Sequence, residues 1–384
     1  MQRYERVFID LLRAGMWETA PQVPQDFDQW DKVASLAKGQ SVMGVIGKQM
    51  MTVPQISQSL SPEMRLKVKQ LTFSYMHSHT LLNKTLVTVV NALREKGIES
   101  VVLKGQAIAR NYPQPDLRQC GDIDLFVGTE NSVKAYEALA PLAVRIDDKS
   151  LADKGKHYDV IMERGVNVEV HRYTDRYMNE RLQRIYDAAA LKGTTENLVQ
   201  IDFAGTRVYT LADDFNAFYI FNHLFQHFLV SGIGLRQFCD WMMLLHARKD
   251  HLDLDYLKKL LVDMGLIKPW QAFGCVLVRE LGLPEDEFPF YDKRQERKVA
   301  RILRRVLDEG NFGKERKLYK KRGDIYLVKK TVAFVTYIGR IMMIFFMFPK
   351  HSLQSVLDHM YHGFSRVWND LKLKFKRNVF KKII

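Results

Sequence analysis

The chain has 384 residues, is 47% hydrophobic and 11% aromatic, and so excludes an intrinsically disordered protein. Its formal net charge of +14 lies almost entirely in Lys314–Ile384, and the near-neutral remainder excludes a general nucleic-acid-binding body. Three cysteines (Cys120, Cys239 and Cys275) stand far apart with no CxxC, which excludes a zinc ribbon or a disulfide framework and implies reduced thiols in a cytoplasmic compartment.

In chain order, the start reads as an amphipathic helix over Met1–Trp17, because Tyr4, Phe8, Leu11 and Leu12 share one face. Charges at Arg3, Glu5, Arg6, Asp10 and Arg13 leave no apolar region of the kind a signal peptide needs. A second apolar pattern covers Phe27–Met51. Ser61-Pro62 predicts an N-cap followed by proline at the first helical position. The long pattern after it ends at Gly97, a helix C-cap.

Next comes an α/β stretch. Ile98–Leu103 predicts a buried strand, Gln106–Tyr112 a short helix, and Asp122–Val127 a second strand. Ser132–Leu142 predicts a helix with Ser132 as N-cap. His157–Met162 and Val166–His171 read as a hairpin around Glu163-Arg164-Gly165. Residues 196–209 predict one more strand or hairpin. Thr210 to Asp213 fits a capping box, and helical patterns then cover 211–230, 233–248, 253–264, 268–281 and 291–309. The expected fold is α+β, a small mixed sheet inside a mostly helical chain. The expected parts are a helical region 1–96, an α/β core 97–209, a helical domain 210–313 and a basic amphipathic segment 314–384.

The chemistry concentrates in Leu103–Val127, LKGQAIARNYPQPDLRQCGDIDLFV. Asp122 and Asp124 share one face of a strand while Ile123 and Leu125 take the other. Two adjacent like charges repel unless a cation sits between them, and hard oxygen donors suit Mg²⁺ or Mn²⁺. Glu169, on the third strand, supplies another carboxylate. Three such groups are the minimum for two-metal phosphoryl transfer. Lys104-Gly105, at a strand-to-helix turn, suits phosphate binding, and Arg118 can offset charge on the same phosphates. Arg236 and Asp240, at helical spacing, read as a surface or inter-helix ion pair. His223 and His227 lack the glutamate of a zincin motif and read as core or cleft histidines.

The pattern LKG…R…GDIDLFV, followed by a strand reading VEVH, resembles the polymerase-beta-type nucleotidyltransferases. More closely it resembles the bacterial family of uncharacterised nucleotidyltransferases, as does GLRQFCDWMMLL at Gly234–Leu245. The resemblance covers residues 70–300. It implies Asp122, Asp124 and Glu169 as catalytic metal ligands, with Glu169 also a base for the acceptor. It implies Lys104, Gly105 and Arg118 at the nucleotide phosphates and His171 beside them. The implied activity is transfer of a nucleoside monophosphate from an NTP to an unspecified acceptor. The alternative is a degenerate binding or scaffold protein of the same fold, because Gln106 stands where the wider superfamily has Ser or Gly.

Thr331–Phe348 is an apolar run with one charge, Arg340, near the lower length limit for crossing roughly 30 Å of hydrocarbon. The cationic, aromatic sequence beyond it favours contact with an anionic membrane surface over a packed helix, and nucleic acid least.

Overall fold

The computed structural model describes residues 1–146, 155–311, 339, 342 and 344–354. Its architecture is α+β. Seven strands form one mixed sheet: β1 Val101–Val102, β2 Asp122–Phe126, β3 Arg145–Ile146, β4 His157–Ile161, β5 Asn167–His171, β6 Val199–Phe203 and β7 Thr206–Thr210. Their spatial order is β3-β4-β5-β2-β1-β7-β6. The hairpins β4–β5 and β6–β7 are antiparallel, whereas β2 runs parallel to β5 and β1 parallel to β7.

Strand alternation gives this sheet two unlike faces. Ile123, Leu125, Tyr158, Val160, Val168 and Val170 are fully buried on one face. They join Leu82, Leu86, Val89, Val90 and Leu93 of the Pro62–Glu95 helix in one apolar cluster. The other face carries Asp122, Asp124, Glu169, His171 and His157. A second, larger cluster joins the N-terminal helices to the helices beyond residue 210, around Phe221, Trp241, Trp270 and Phe273. The helix Pro62–Glu95 touches both clusters, Val68 in one and Leu82–Leu93 in the other. Ser61 Oγ accepts from the Met64 N–H at 3.2 Å, with Pro62 at the first helical position, as the sequence predicts. Gly97, at φ +71°, closes the helix, and the Ile98 N–H donates to the Leu93 carbonyl at 3.0 Å.

Several local expectations give way to tertiary contacts. The apolar pattern at Phe27–Met51 breaks into helices Trp30–Gly39 and Met43–Thr52. The break at Gln40-Ser41 is held from far along the chain: Gln40 Nε2 donates to the Val306 carbonyl at 2.9 Å, and its Oε1 accepts from the Leu235 N–H at 3.0 Å. Ser132 is not an N-cap. Asn131 holds that position, and Ser132 Oγ accepts from Arg172 Nε at 3.0 Å. Thr210 makes no capping box; it ends β7, its hydroxyl donates to the Val102 carbonyl at 2.7 Å, and the helix begins at Asp213.

A helix at Glu180–Thr195, capped by Asn179, goes beyond the sequence reading, although Leu182, Ile185, Tyr186 and Ala189 mark its face. Among the described residues no single helix is long and apolar enough to cross a membrane. The pair Leu254–Asp263 and Ile267–Leu281 passes that test jointly by length and composition, with a bend of 115° between them. Of their apolar side chains, Leu257, Leu261, Trp270 and Phe273 are buried in the helical core, whereas Leu254 and Val262 are exposed.

Most of the basic segment 314–384 lies outside the described residues. Within the apolar run, Ile344, Met347 and Phe348 are buried while Phe345 and Phe346 are exposed. The Phe348 ring packs edge-on to Phe225 at 5.4 Å, so this end of the run belongs to the protein core.

Candidate active site

Pairing on the polar sheet face is matched residue for residue: Asp122 opposite Asn167, Asp124 opposite Glu169, Phe126 opposite His171. The two aspartates and Glu169 therefore share one face of neighbouring strands, as the alternation predicts. Lys104 follows β1 and reaches across to Asp124, Nζ to Oδ1 at 3.0 Å. His171 Nε2 approaches the same oxygen at 3.1 Å and Glu169 Oε2 at 3.3 Å. On the far side of Glu169, His157 Nδ1 stands 3.5 Å from the same Oε2.

These neighbours push the two aspartates apart in acidity. Burial raises the pKa of Asp124, but Lys104 and His171 outweigh it and hold the carboxylate well below its usual range. Lys104 is the mirror case. Burial works against its charge, and Asp124 more than restores it, so its pKa lies above the ordinary lysine value. For Asp122 burial and then Asp124 dominate, and its pKa is raised. Burial pushes Glu169 up, but its hydrogen bond to His171 together with the charges of His157 and His171 brings it below its normal value. Among the described residues Asp122 makes no hydrogen bond or ion pair, and both contacts to Asp124 fall on Oδ1.

Gly105 turns the chain from β1 into the single helical turn Gln106–Ala109 with φ +57° and ψ −118°, backbone that only glycine adopts readily. One helical turn carries little dipole, so the expected contribution of a helix N-terminus is small here. Gln106 is buried at 1% exposure with neither amide atom hydrogen-bonded. It does not line the cleft. The connection from Gly105 to Asp122 is long because it also builds a 3₁₀ turn at Pro115–Leu117 and presents Arg118 to the helical region.

An open cleft lies between the sheet and two helices, Asp213–Val230 and Leu235–Arg248. It is lined by Lys104, Gly105, Arg118, Asp122 and Asp124 on one side and by Ile220, His223, Arg236, Gln237 and Asp240 on the other. Arg118 lines this cleft, but its guanidinium is already engaged. Its Nε and Nη2 donate to the two oxygens of Asp240 at 2.7 and 2.8 Å, and its Nη1 lies 2.8 Å from Cys120 Sγ. Tyr112 Oη donates to Asp240 at 2.7 Å, completing a buried network. Asp240 thus pairs with Arg118 and not with Arg236, correcting the i,i+4 pair read from the sequence.

Arg236 instead donates one nitrogen to the Gln119 carbonyl at 2.8 Å, has no partner at Nε, and sits close enough to Asp122 to ease its ionisation. His223 does face the cleft; burial, then Lys104, hold its pKa well below the usual histidine value, so it is neutral at pH 7. Its ring packs on His227, whose Nδ1 lies 2.6 Å from Ser231 Oγ. The sequence reads Arg236 only as half of an ion pair and does not single out Gln237, though both lie inside the GLRQFCDWMMLL stretch. His157 was signalled only by alternation along β4, two residues from Asp159.

The structure thus gathers a carboxylate pair on one strand, a third carboxylate on its neighbour and a lysine-glycine turn beside them, the groups that the sequence resemblance singles out. The chain belongs to the family of uncharacterised nucleotidyltransferases, whose model matches residues 26–281. The match begins earlier than the resemblance read from the motifs and takes in most of the N-terminal helices. Among solved structures the chain is similar to an antigenic nucleotidyltransferase-like protein from Paracoccidioides brasiliensis. The two are 13% identical, with a TM-score of 0.32 over 53% of this chain and 92% of the other. No curated protein matches the chain significantly.

Proposed function

We propose that this protein is a metal-dependent nucleotidyltransferase that moves a nucleoside monophosphate from an NTP to an acceptor hydroxyl or phosphate. In that reaction an acceptor oxygen bonds to the α-phosphorus, the bond from the α-phosphorus to the bridging oxygen breaks, and pyrophosphate leaves. The observation that carries this reading is the matched register of Asp122, Asp124 and Glu169 on one sheet face, beside Lys104-Gly105. The donor set fits Mg²⁺ or Mn²⁺. Among the described residues, Asp122 is a half-buried carboxylate with no side-chain partner, and both contacts to Asp124 fall on one of its oxygens. Asp122 and Asp124 would hold the ion, with Glu169 as the third carboxylate. When bound, such an ion neutralises phosphate charge and acidifies the attacking group.

The rest of the reaction falls to the chain's own side chains. Lys104 keeps Asp124 ionised and offers its remaining donor capacity toward the phosphates. Arg236, with an unpartnered Nε, supplies a second cation from the opposite wall of the cleft. Arg118 positions that wall by tying the Asp240 helix to the turn before β2. Glu169, ionised because His171 stabilises its charge, can accept the acceptor's proton. Phosphoryl transfer depends mainly on positioning and electrostatics, so this short set of groups is sufficient.

The test is a thermal-shift titration of the four NTPs with Mg²⁺ and Mn²⁺, on the parent chain and on Asp122→Asn with Asp124→Asn. A ligand at about 100 times its Kd adds roughly 2.7 kcal/mol to the native state. The parent is expected to show that gain with at least one nucleotide and the double variant to show none. An equal gain in both proteins means that these carboxylates do not hold the metal-nucleotide.

A further inference from the structure

The polar sheet face continues past Glu169 to His157, a side chain that the carboxylate chemistry does not use. We infer that His157, Glu169 and His171 form a second cation site, suited to a zinc-type transition ion, beside the Asp122/Asp124 pair. The inference deepens the nucleotidyltransferase reading only in that Glu169 belongs to both groups.

Topology places the three ligands. β4 and β5 are antiparallel with His157 directly opposite His171, and Glu169 stands two residues before His171 on the same face. The two imidazole centroids lie 4.9 Å apart with the rings tilted by 47°. His157 Nδ1, Glu169 Oε2 and His171 Nε2 all lie within 4.8 Å of one another. The two edges that meet at Glu169 measure 3.3 and 3.5 Å. Two atoms each bonded at roughly 2.0–2.1 Å to a tetrahedral ion stand about 3.3–3.4 Å apart. Two edges of a tetrahedral face are therefore already near the length such an ion imposes.

A second observation points the same way. Among the described residues, His157 Nδ1 is buried and makes no hydrogen bond, although a carboxylate oxygen faces it. A buried ring nitrogen without a partner is costly to leave unmade, and a metal ion satisfies it.

The donor types choose the ion. Two imidazoles and one carboxylate suit Zn²⁺, Co²⁺ or Mn²⁺, whereas Mg²⁺ prefers all-oxygen, octahedral surroundings. The two sites thus divide by chemistry, a hard ion on the aspartates and a borderline ion on the histidines. Asp124 Oδ1 lies 3.1 Å from His171 Nε2, so the two groups abut. An ion on the histidines takes the Nε2 lone pair that His171 otherwise covers with a proton donated to Asp124. Occupancy of the second site thereby bears directly on the charge around the first.

The experiment uses the full chain, stripped of metal by a chelator and dialysed, then titrated with Co²⁺ as a spectroscopic probe for Zn²⁺. Parent and His157→Gln are compared by visible absorption, by metal stoichiometry and by melting temperature. The expected parent result is one Co²⁺ per chain with intense tetrahedral bands, no thiolate-to-cobalt charge transfer, and displacement by Zn²⁺. His157→Gln is expected to lose those bands and at least tenfold in affinity. His157 is partly exposed, with 32% of its side chain accessible, so this variant is expected to melt as the parent does. It is also expected to keep the Mg²⁺-NTP shift. A parent that binds no Co²⁺, binds it through thiolate, or binds it equally well in His157→Gln overturns the inference. Absence of any Mg²⁺-NTP shift in the parent, with Co²⁺ binding intact, overturns the nucleotide reading alone.

Discussion

Asp124 is the most constrained charge in the cleft. It is 3% exposed, and it keeps its charge only because Lys104 and His171 both bond one of its oxygens. Removing one partner of a buried pair costs about 3–5 kcal/mol. Asp124→Asn is expected near the lower end of that range, because losing this charge also relieves Asp122. The pH dependence has a definite sign. The folded-state pKa of Asp124 is depressed, so its stabilisation is complete above the unfolded value of about 3.9 and drains away as pH falls toward the lower folded value. Urea midpoints of parent and variant are expected to differ by a constant amount from pH 7 to about 5 and to converge below about pH 4. A gap that stays open in acid means that the Asp124 charge is not its source. Asp122 works in the opposite sense. Its raised pKa means that ionising it costs stability, which an ion bound beside it restores.

The Arg118–Asp240 fork, with the Arg236–Gln119 bond beside it, ties the turn before β2 to the Leu235–Arg248 helix. Both partners are buried, and the fork is bidentate. Asp240→Ala leaves a buried guanidinium and the Tyr112 hydroxyl without their acceptor and is expected to cost about 3–5 kcal/mol in urea unfolding. Arg118→Met combined with Asp240→Leu is expected to recover most of that, since apolar replacements of a buried pair are often neutral. A loss below about 1 kcal/mol in the single variant, the size of a surface pair, rejects the fork as the tie between these elements. Close packing supports the same turn. A Cβ on Gly44 would lie 2.2 Å from the Leu117 carbonyl oxygen, so the Met43–Thr52 helix presses directly on the segment that carries Arg118.

On the scale of the whole molecule, helices from both ends of the chain pack into one core, and the sheet with part of the Pro62–Glu95 helix forms the other. The polar sheet face, with Asp122, Asp124 and Glu169, lies between them. The end of the apolar run near the C-terminus joins the helical core through Ile344, Met347 and Phe348, with Lys298 Nζ 4.6 Å from the Phe348 ring centroid. Phe348→Ala is expected to cost about 3–5 kcal/mol in thermal or urea unfolding, as a large buried aromatic does. A change within about 0.5 kcal/mol, typical of surface positions, means that this residue lies outside the core in solution.

What the sequence determined by itself was local or periodic. Alternation placed Asp122, Asp124 and Glu169 on one sheet face, because strand side chains repeat every two residues. Ser61-Pro62 and Gly97 set the ends of the long helix, because capping acts within one turn. The resemblance carried by the lysine-glycine turn and the GDID strand pointed to the family before any distance was known. What only the tertiary structure decided was pairing between distant residues. Arg118 finds Asp240, Gln40 breaks a helix to reach Val306 and Leu235, and His157 comes opposite His171. None of these has a periodic signal, because each depends on which elements pack together and in what register. For the same reason Arg236, which helical spacing alone assigns to a routine ion pair, lines the cleft and donates to the Gln119 carbonyl instead.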